Sequence, residues 1–333
     1  MMGGEAGGSA PRGQRSFVDD QRAAQGSWFD EHLPKSAGYA GAAYRLHPKD
    51  RLNNLAPTLQ DAADRLFSAD PVIQWHQHAS HGLSSQACCL NFLLPFAQRP
   101  ELLRRWIEHV TSDTVAQVLP IEPMRGGEDW FVTFEWIGDT DYLNEAKPET
   151  PRKRGANATA ADAAVLYRDD AARTHLLLIE WKYTERYGAP LDPKGNDTRR
   201  NRYDAIYRQP NGPILANADV TLDDFFYEPF YQLLRQQMLA WHTERYNPAI
   251  DRARVLHLSP SGNRSLHQVT SPNLREIGRD AFEVFRTLLV NPQDFSSMTI
   301  EHAFAPLESW PEADWFPWLK ARYVSLCGGG EPA

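Results

Sequence analysis

Apolar residues along this chain change rhythm twice. From Thr58 to Val110 they recur at helical spacing, with Leu59, Ala62, Ala63 and Leu66 in one stripe and Leu103, Trp106 and Val110 in another. Thr58 stands three residues before Asp61, a helix-start signature, and Ser84 and Ser85 can cap a segment over residues 86–96. Pro71 ends the first helix or opens a short one through Trp75, and Pro100 with Glu101 opens the last. Near residue 129 the pattern becomes that of strands: residues 130–137, 161–167 and 175–183 are aromatic, β-branched or continuously apolar. Residues 168–174 form the turn between the second and third. Residues 184–222 are polar and carry Pro190, Pro193, Gly195, Pro210 and Pro213, so they read as a long loop. A helix resumes over residues 228–246, residues 254–258 suggest a strand, and residues 277–289 a further helix. Trp310, Trp315 and Trp318 read as a cluster that closes the core.

These elements predict a mixed α/β chain. Residues 1–25 read as a disordered tail and 326–333 as a second one. Between them, 26–325 reads as one domain: a helical N-terminal part (58–111), a core (129–260) and a helical C-terminal part (270–325). No run of about 18 apolar residues occurs, so no membrane-spanning helix is expected. The Gly- and Ala-rich N-terminus lacks the apolar centre of a secretory signal. Cys88, Cys89 and Cys327 make neither a disulfide framework nor a zinc motif, which suits a reducing cytoplasm. The net charge of −8 does not advertise a nucleic-acid binder, but binding depends on where basic groups cluster.

The chemistry is concentrated in one hairpin. Alternate residues of a strand share a face, so Glu180 and Lys182 point the same way as Leu176 and Leu178, while Leu177, Ile179 and Trp181 point the other way. An acid and an amine therefore stand where a core face would carry apolar residues. If the turn is centred on Ala171, residues whose numbers sum to 342 lie opposite one another, which puts Asp162 across from Glu180. Two carboxylates that close repel, and a hard cation such as Mg²⁺ between them resolves the conflict. Glu-x-Lys by itself is a frequent pattern, and on these residues alone an exposed hairpin with a solvated ion pair fits slightly better.

A wider set of residues extends the picture. Gly155, then Asp162, then Leu177-Leu178-Ile179-Glu180-Trp181-Lys182-Tyr183-Thr184-Glu185 resembles the core of the PD-(D/E)xK nuclease superfamily. Ser84-Ser85-Gln86-Ala87, Phe134-Glu135-Trp136 and Gln232-Leu233-Leu234-Arg235 resemble flanking elements of a bacterial, restriction-endonuclease-like branch of it. The resemblance covers roughly residues 75–260, with Ala161 where the superfamily name has proline. It implies a central mixed sheet flanked by helices, with a helical N-terminal extension. It also implies metal ligation by Asp162, Glu180 and the backbone carbonyl of Trp181, with Mg²⁺ or Mn²⁺ as cofactor. Lys182 would be the catalytic lysine and Glu135 a further acid. The implied activity is hydrolysis of phosphodiester bonds, with nucleic acid, above all DNA, as partner and no membrane. A nuclease fold kept only as a binding module is the alternative.

Further candidates lie nearby. On the helix after the core, Gln232 and Arg235 share a face from which they could hold phosphate. Arg199, Arg200 and Arg202, interleaved with Tyr203 and Tyr207, suit contact with a nucleic-acid backbone, and Arg152, Lys153 and Arg154 could extend that surface. His76, His78 and His81 lack an evident acidic or thiol partner for zinc.

Overall fold

A computed structural model describes residues 16–327 except 147, 148, 150, 157, 189 and 216–218. Its helices are α1 (Phe17–His32), α2 (Gln60–Ser68), α3 (Ser85–Leu93), α4 (Pro100–Thr111), α5 (Asn196–Tyr207), α6 (Phe230–Tyr246), α7 (Ala281–Thr287), α8 (Ile300–Phe304), α9 (Phe316–Arg322) and α10 (Val324–Cys327). The strands are β1 (Val115–Leu119), β2 (Glu122–Arg125), β3 (Glu128–Trp130), β4 (Val132–Trp136), β5 (Ala161–Asp169), β6 (Thr174–Trp181), β7 (Arg252–Ser259) and β8 (Phe295–Thr299).

The sheet is mixed. Its order is β1-β5-β6-β7-β8, with β4 also on β5. β1 uses one end of β5 and β4 the other, both antiparallel. β5 and β6 are antiparallel, whereas β6–β7 and β7–β8 are parallel. Parallel neighbours need a long crossover, and α5 and α6 lie in the one that joins β6 to β7.

Strand alternation sorts the core into two layers. Ala163, Val165, Tyr167, Leu177, Ile179, Trp181, Leu256 and Leu258 pack on one side with residues of α2, α3, α4, α8 and α9. Ala164, Leu176, Leu178, Ala253 and Val255 pack on the other with residues of α5, α6 and α7. Every residue of β6 is buried, as expected for a strand covered on both faces. The result is a central mixed sheet flanked by helices.

Several elements differ from the sequence reading. α1 starts at Phe17, inside the stretch expected to be tail; the Ser16 hydroxyl caps the Asp19 N–H, and Phe29 is fully buried. At the other end Leu326 is fully buried, so the chain is packed beyond residue 325. The expected loop over 184–222 contains α5, whose pattern was masked because only Tyr203, Ile206 and Tyr207 of its twelve residues are buried. The C-terminal part is not purely helical: β8 adds the last strand of the sheet, and the helix expected over 277–289 is confined to Ala281–Thr287. No helix covers residues 71–75. No described helix is long and apolar enough to cross a membrane.

Candidate active site

β5 and β6 pair from Arg168↔Thr174 to Ala163↔Ile179, always summing to 342, and one step further Asp162 faces Glu180. β4 pairs with β5 through Phe134↔Ala163 and Trp136↔Ala161, which sets Glu135 across from Asp162. β6 pairs with β7 through Glu180↔His257, and β7 with β8 through His257↔Ser297. Glu135, Asp162, Glu180 and His257 thus occupy one row across four neighbouring strands. Three of the four are acids.

Glu135 departs from strand geometry, with φ at 51°. A left-handed backbone costs a non-glycine residue about 1 kcal/mol or more and is worth attention beside a site. The regular pairs flank Glu135, and its carboxylate accepts a 2.8 Å bond from Gln86 Nε2 on α3. Gln86 in turn accepts from the His76 N–H and donates to the Gln74 carbonyl. His76 Nε2 is 3.6 Å from the same Glu135 oxygen.

The other acids are held as firmly. Asp162 accepts a 2.7 Å bond from the Trp181 N–H. Glu180 is 1% exposed; one of its oxygens contacts Lys182 Nζ and the other accepts from Gln236 Nε2 at 2.8 Å. Lys182 Nζ is also 4.0 Å from Asp162. Burial, reinforced by the Asp162 charge, pushes Glu135 up to about 7 and Glu180 up to about 8. Burial works against the Lys182 charge, but the adjoining Glu180 prevails and keeps the amine protonated.

A cavity of about 230 Å³ opens onto Glu135, Asp162 and Lys182, walled by His76, Ser85, Gly155, Glu185, Gln232, Arg235 and Gln236. Glu180 lies behind Lys182 and Gln236 rather than on the wall. Gly155 has φ 81°, and a Cβ there would sit 3.0 Å from the Gln74 carbonyl, so the turn accepts only glycine without rearrangement. Among the described residues no three His, Cys, Asp or Glu side chains already converge as a metal cage. The donor chemistry nevertheless suits a hard divalent cation: oxygen ligands only, three acids driven toward protonation by burial, and Lys182 against two of them.

The model of the family described as restriction endonuclease associating with ARP matches residues 21–324. The chain belongs to that family. No curated protein matches it, and no solved structure does. In this member of the REase-ARP family the row of acids and Lys182 sits near the centre of the matched region.

The remaining candidates divide. Gln232 and Arg235 line the cavity, but Arg235 is tied to Glu145 at 3.4 Å, donates to Thr159 Oγ1 at 2.9 Å and lies over the Tyr231 ring. Arg199 also covers Tyr231 and bonds the Asp192 carbonyl and Asn196. Arg200 is paired with Asp197 and Asp223. Arg202 is half-buried and has no ion pair among the described residues. None of these three α5 arginines reaches the cavity wall. Arg154 is buried among Glu122, Thr133 and the Phe134 carbonyl, and Arg152 bonds the Ile137 carbonyl, so both serve the frame.

Sequence reasoning named Gln86, Gln236 and His76 but gave none of them a contact with a site acid, although each has one. For Gln236 a signal existed: it lies one turn beyond Gln232 and shares a face with it. Nothing in the sequence ties Gln86 or His76 to Glu135, because those contacts cross between α3, the loop before it and β4.

Proposed function

We propose that this protein is a metal-dependent nuclease of the PD-(D/E)xK type, hydrolysing phosphodiester bonds of DNA in a restriction- or repair-like role. The observation that carries this reading is the row of Glu135, Asp162 and Glu180 on adjoining strands, with Lys182 Nζ against the last two. Membership of a restriction-endonuclease family supports it.

Asp162, Glu180 and the Trp181 carbonyl would hold Mg²⁺ or Mn²⁺, with Glu135 as a further acid at the cavity wall. When bound, such an ion supplies Lewis acidity against the charge that builds on phosphorus. Lys182 holds its proton on Nζ and presents that charge to the cavity, where it orients the attacking water and stabilises the developing oxyanion. Gln236 fixes the Glu180 carboxylate from α6, and Gln86 fixes Glu135 from α3. The family's description names an association with ARP, so ARP joins nucleic acid as a partner in this proposal.

Calorimetric titration with Mg²⁺ or Mn²⁺ and a DNA cleavage assay together test the reading. Wild-type protein is expected to take up the ion and to cleave only in its presence, while Glu180→Ala loses uptake and Asp162→Asn loses cleavage. Equal behaviour of all three proteins would sink the assignment. DNA binding without metal uptake or cleavage would leave a binding module instead.

A further inference from the structure

Two paired segments of the N-terminal region lie beside the cavity, and one of them reaches its wall. The loop from His76 to Ser85 leaves the cavity wall at its first residue and rejoins it at its last. Thr184 Oγ1 donates to the Leu83 carbonyl and ties this loop to the chain just after Lys182. Residues 44–46 pair with it: Arg45 bridges His81, the Leu46 N–H bonds the Ser80 carbonyl and the Gly82 N–H bonds the Tyr44 carbonyl. Buried Asn54 bonds the carbonyls of Ala79 and His81 from beneath.

These segments carry guanidinium groups that no acid pairs. Residues 44–51 hold Arg45, Lys49 and Arg51 against the single acid Asp50, and residues 75–81 hold no acid. Among the described residues neither Arg45 nor Arg51 makes an ion pair or side-chain hydrogen bond. The Nε of each is shielded from solvent with no partner. Each guanidinium lies over an aromatic ring instead, Arg45 over Tyr44 at 5.5 Å and Arg51 over Trp75 at 5.5 Å. His78 and His81 lie 4.7 Å apart, and burial together with the Arg45 and His78 charges pushes His81 down to about 4. Around α5 most arginines are engaged: Arg200 on Asp197 and Asp223, Arg208 just after the helix on Asp204, and Arg199 by hydrogen bonds, which leaves Arg202 without an ion pair among the described residues.

We infer that the phosphodiester backbone of the nucleic acid runs over these two segments, with Arg45 and Arg51 as its phosphate-holding cations, and not over α5. The occupant's identity rests on the nuclease reading. Guanidinium groups whose terminal Nη atoms have no protein partner are suited to phosphate oxygens. Their aromatic supports fix each side chain, so little freedom is lost on binding. The segments then deliver the strand to the cavity at His76.

The test is binding of a fluorescently labelled DNA duplex, and of one of its single strands, in excess chelator so that no cleavage intervenes. Each lost phosphate contact lowers the slope of log affinity against log salt by about 0.9. The double variant Arg45→Gln, Arg51→Gln is therefore expected to flatten the slope by nearly two units. Its affinity should then fall about tenfold less than wild type between about 50 and 200 mM salt. The double variant to lysine keeps the slope and serves with a thermal melt as the control for folding. An unchanged slope in the glutamine variant, or a loss that follows Arg199→Gln with Arg202→Gln instead, overturns the inference, as does a wild type that binds no DNA. The nuclease reading fails separately, through absence of cleavage in Mg²⁺ while the Arg45 and Arg51 variants still alter metal-free binding.

Discussion

Replacing Lys182 by alanine is expected to slow metal-dependent DNA cleavage by a factor on the order of 10²–10⁴. Its amine is 8% exposed, contacts Glu180, lies 4.0 Å from Asp162 and faces the cavity. No neighbouring cation can replace it, because Arg235 is tied to Glu145 and Thr159. Lysine to arginine should not restore the rate, since a planar fork cannot occupy the place of a compact ammonium group. Single-turnover rates at saturating DNA give the comparison, with metal-free DNA affinity measured alongside. A rate within a few-fold of wild type, from a protein that melts normally, removes Lys182 from the mechanism. Loss of folding is not the expected outcome: Glu180 is already driven toward protonation by burial and can take up a proton when its partner is removed.

Without metal, the protein is expected to lose stability as pH rises, and divalent ions are expected to restore it most at the alkaline end. Glu135 and Glu180 ordinarily titrate near 4.5, but in the folded protein they do so at about 7 and about 8. Between the ordinary and raised values the folded chain binds protons that the unfolded chain has released. Stability from these two groups is therefore greatest below about 4.5 and declines as pH rises through 7 and 8. The decline approaches about 1.4 kcal/mol per pH unit per group while each holds its extra proton. Cation binding must displace the same protons, so affinity rises over the same window. Thermal melts across this range, with and without Mg²⁺, measure both effects. Replacing Glu135 and Glu180 by glutamine should flatten the metal-free profile; a profile as steep as wild type would place the titrating groups elsewhere.

The sequence made the hairpin legible because two local rules act there. Alternation assigned Glu180 and Lys182 to one face, and the turn's centre set Asp162 opposite Glu180, the register the strands adopt. Glu135 was picked out only by resemblance. Its left-handed backbone and its bond to Gln86 depend on contacts between elements distant in the chain. α1 was hidden because its apolar residues are few; it buries Gln21 and Gln25 beside Val18 and Phe29. β1 and β8 were hidden by their brevity and partial exposure. The basic stretch around α5 illustrates a different limit. Composition counts charges, but only the fold reveals which are already spent on a neighbouring aspartate.

The turn between β5 and β6 lies at the far end of the hairpin from the acids. Asp169 accepts there from the Arg173 N–H, and Ala172 adopts φ 62°. Strand pairing has period two, so a register one residue out would carry Glu180 and Lys182 to the face opposite Asp162. The length of this turn is therefore as much a condition of the chemistry as the acids themselves. Substitutions in it can be forgiven; a change in its count of residues strikes at a site it never touches.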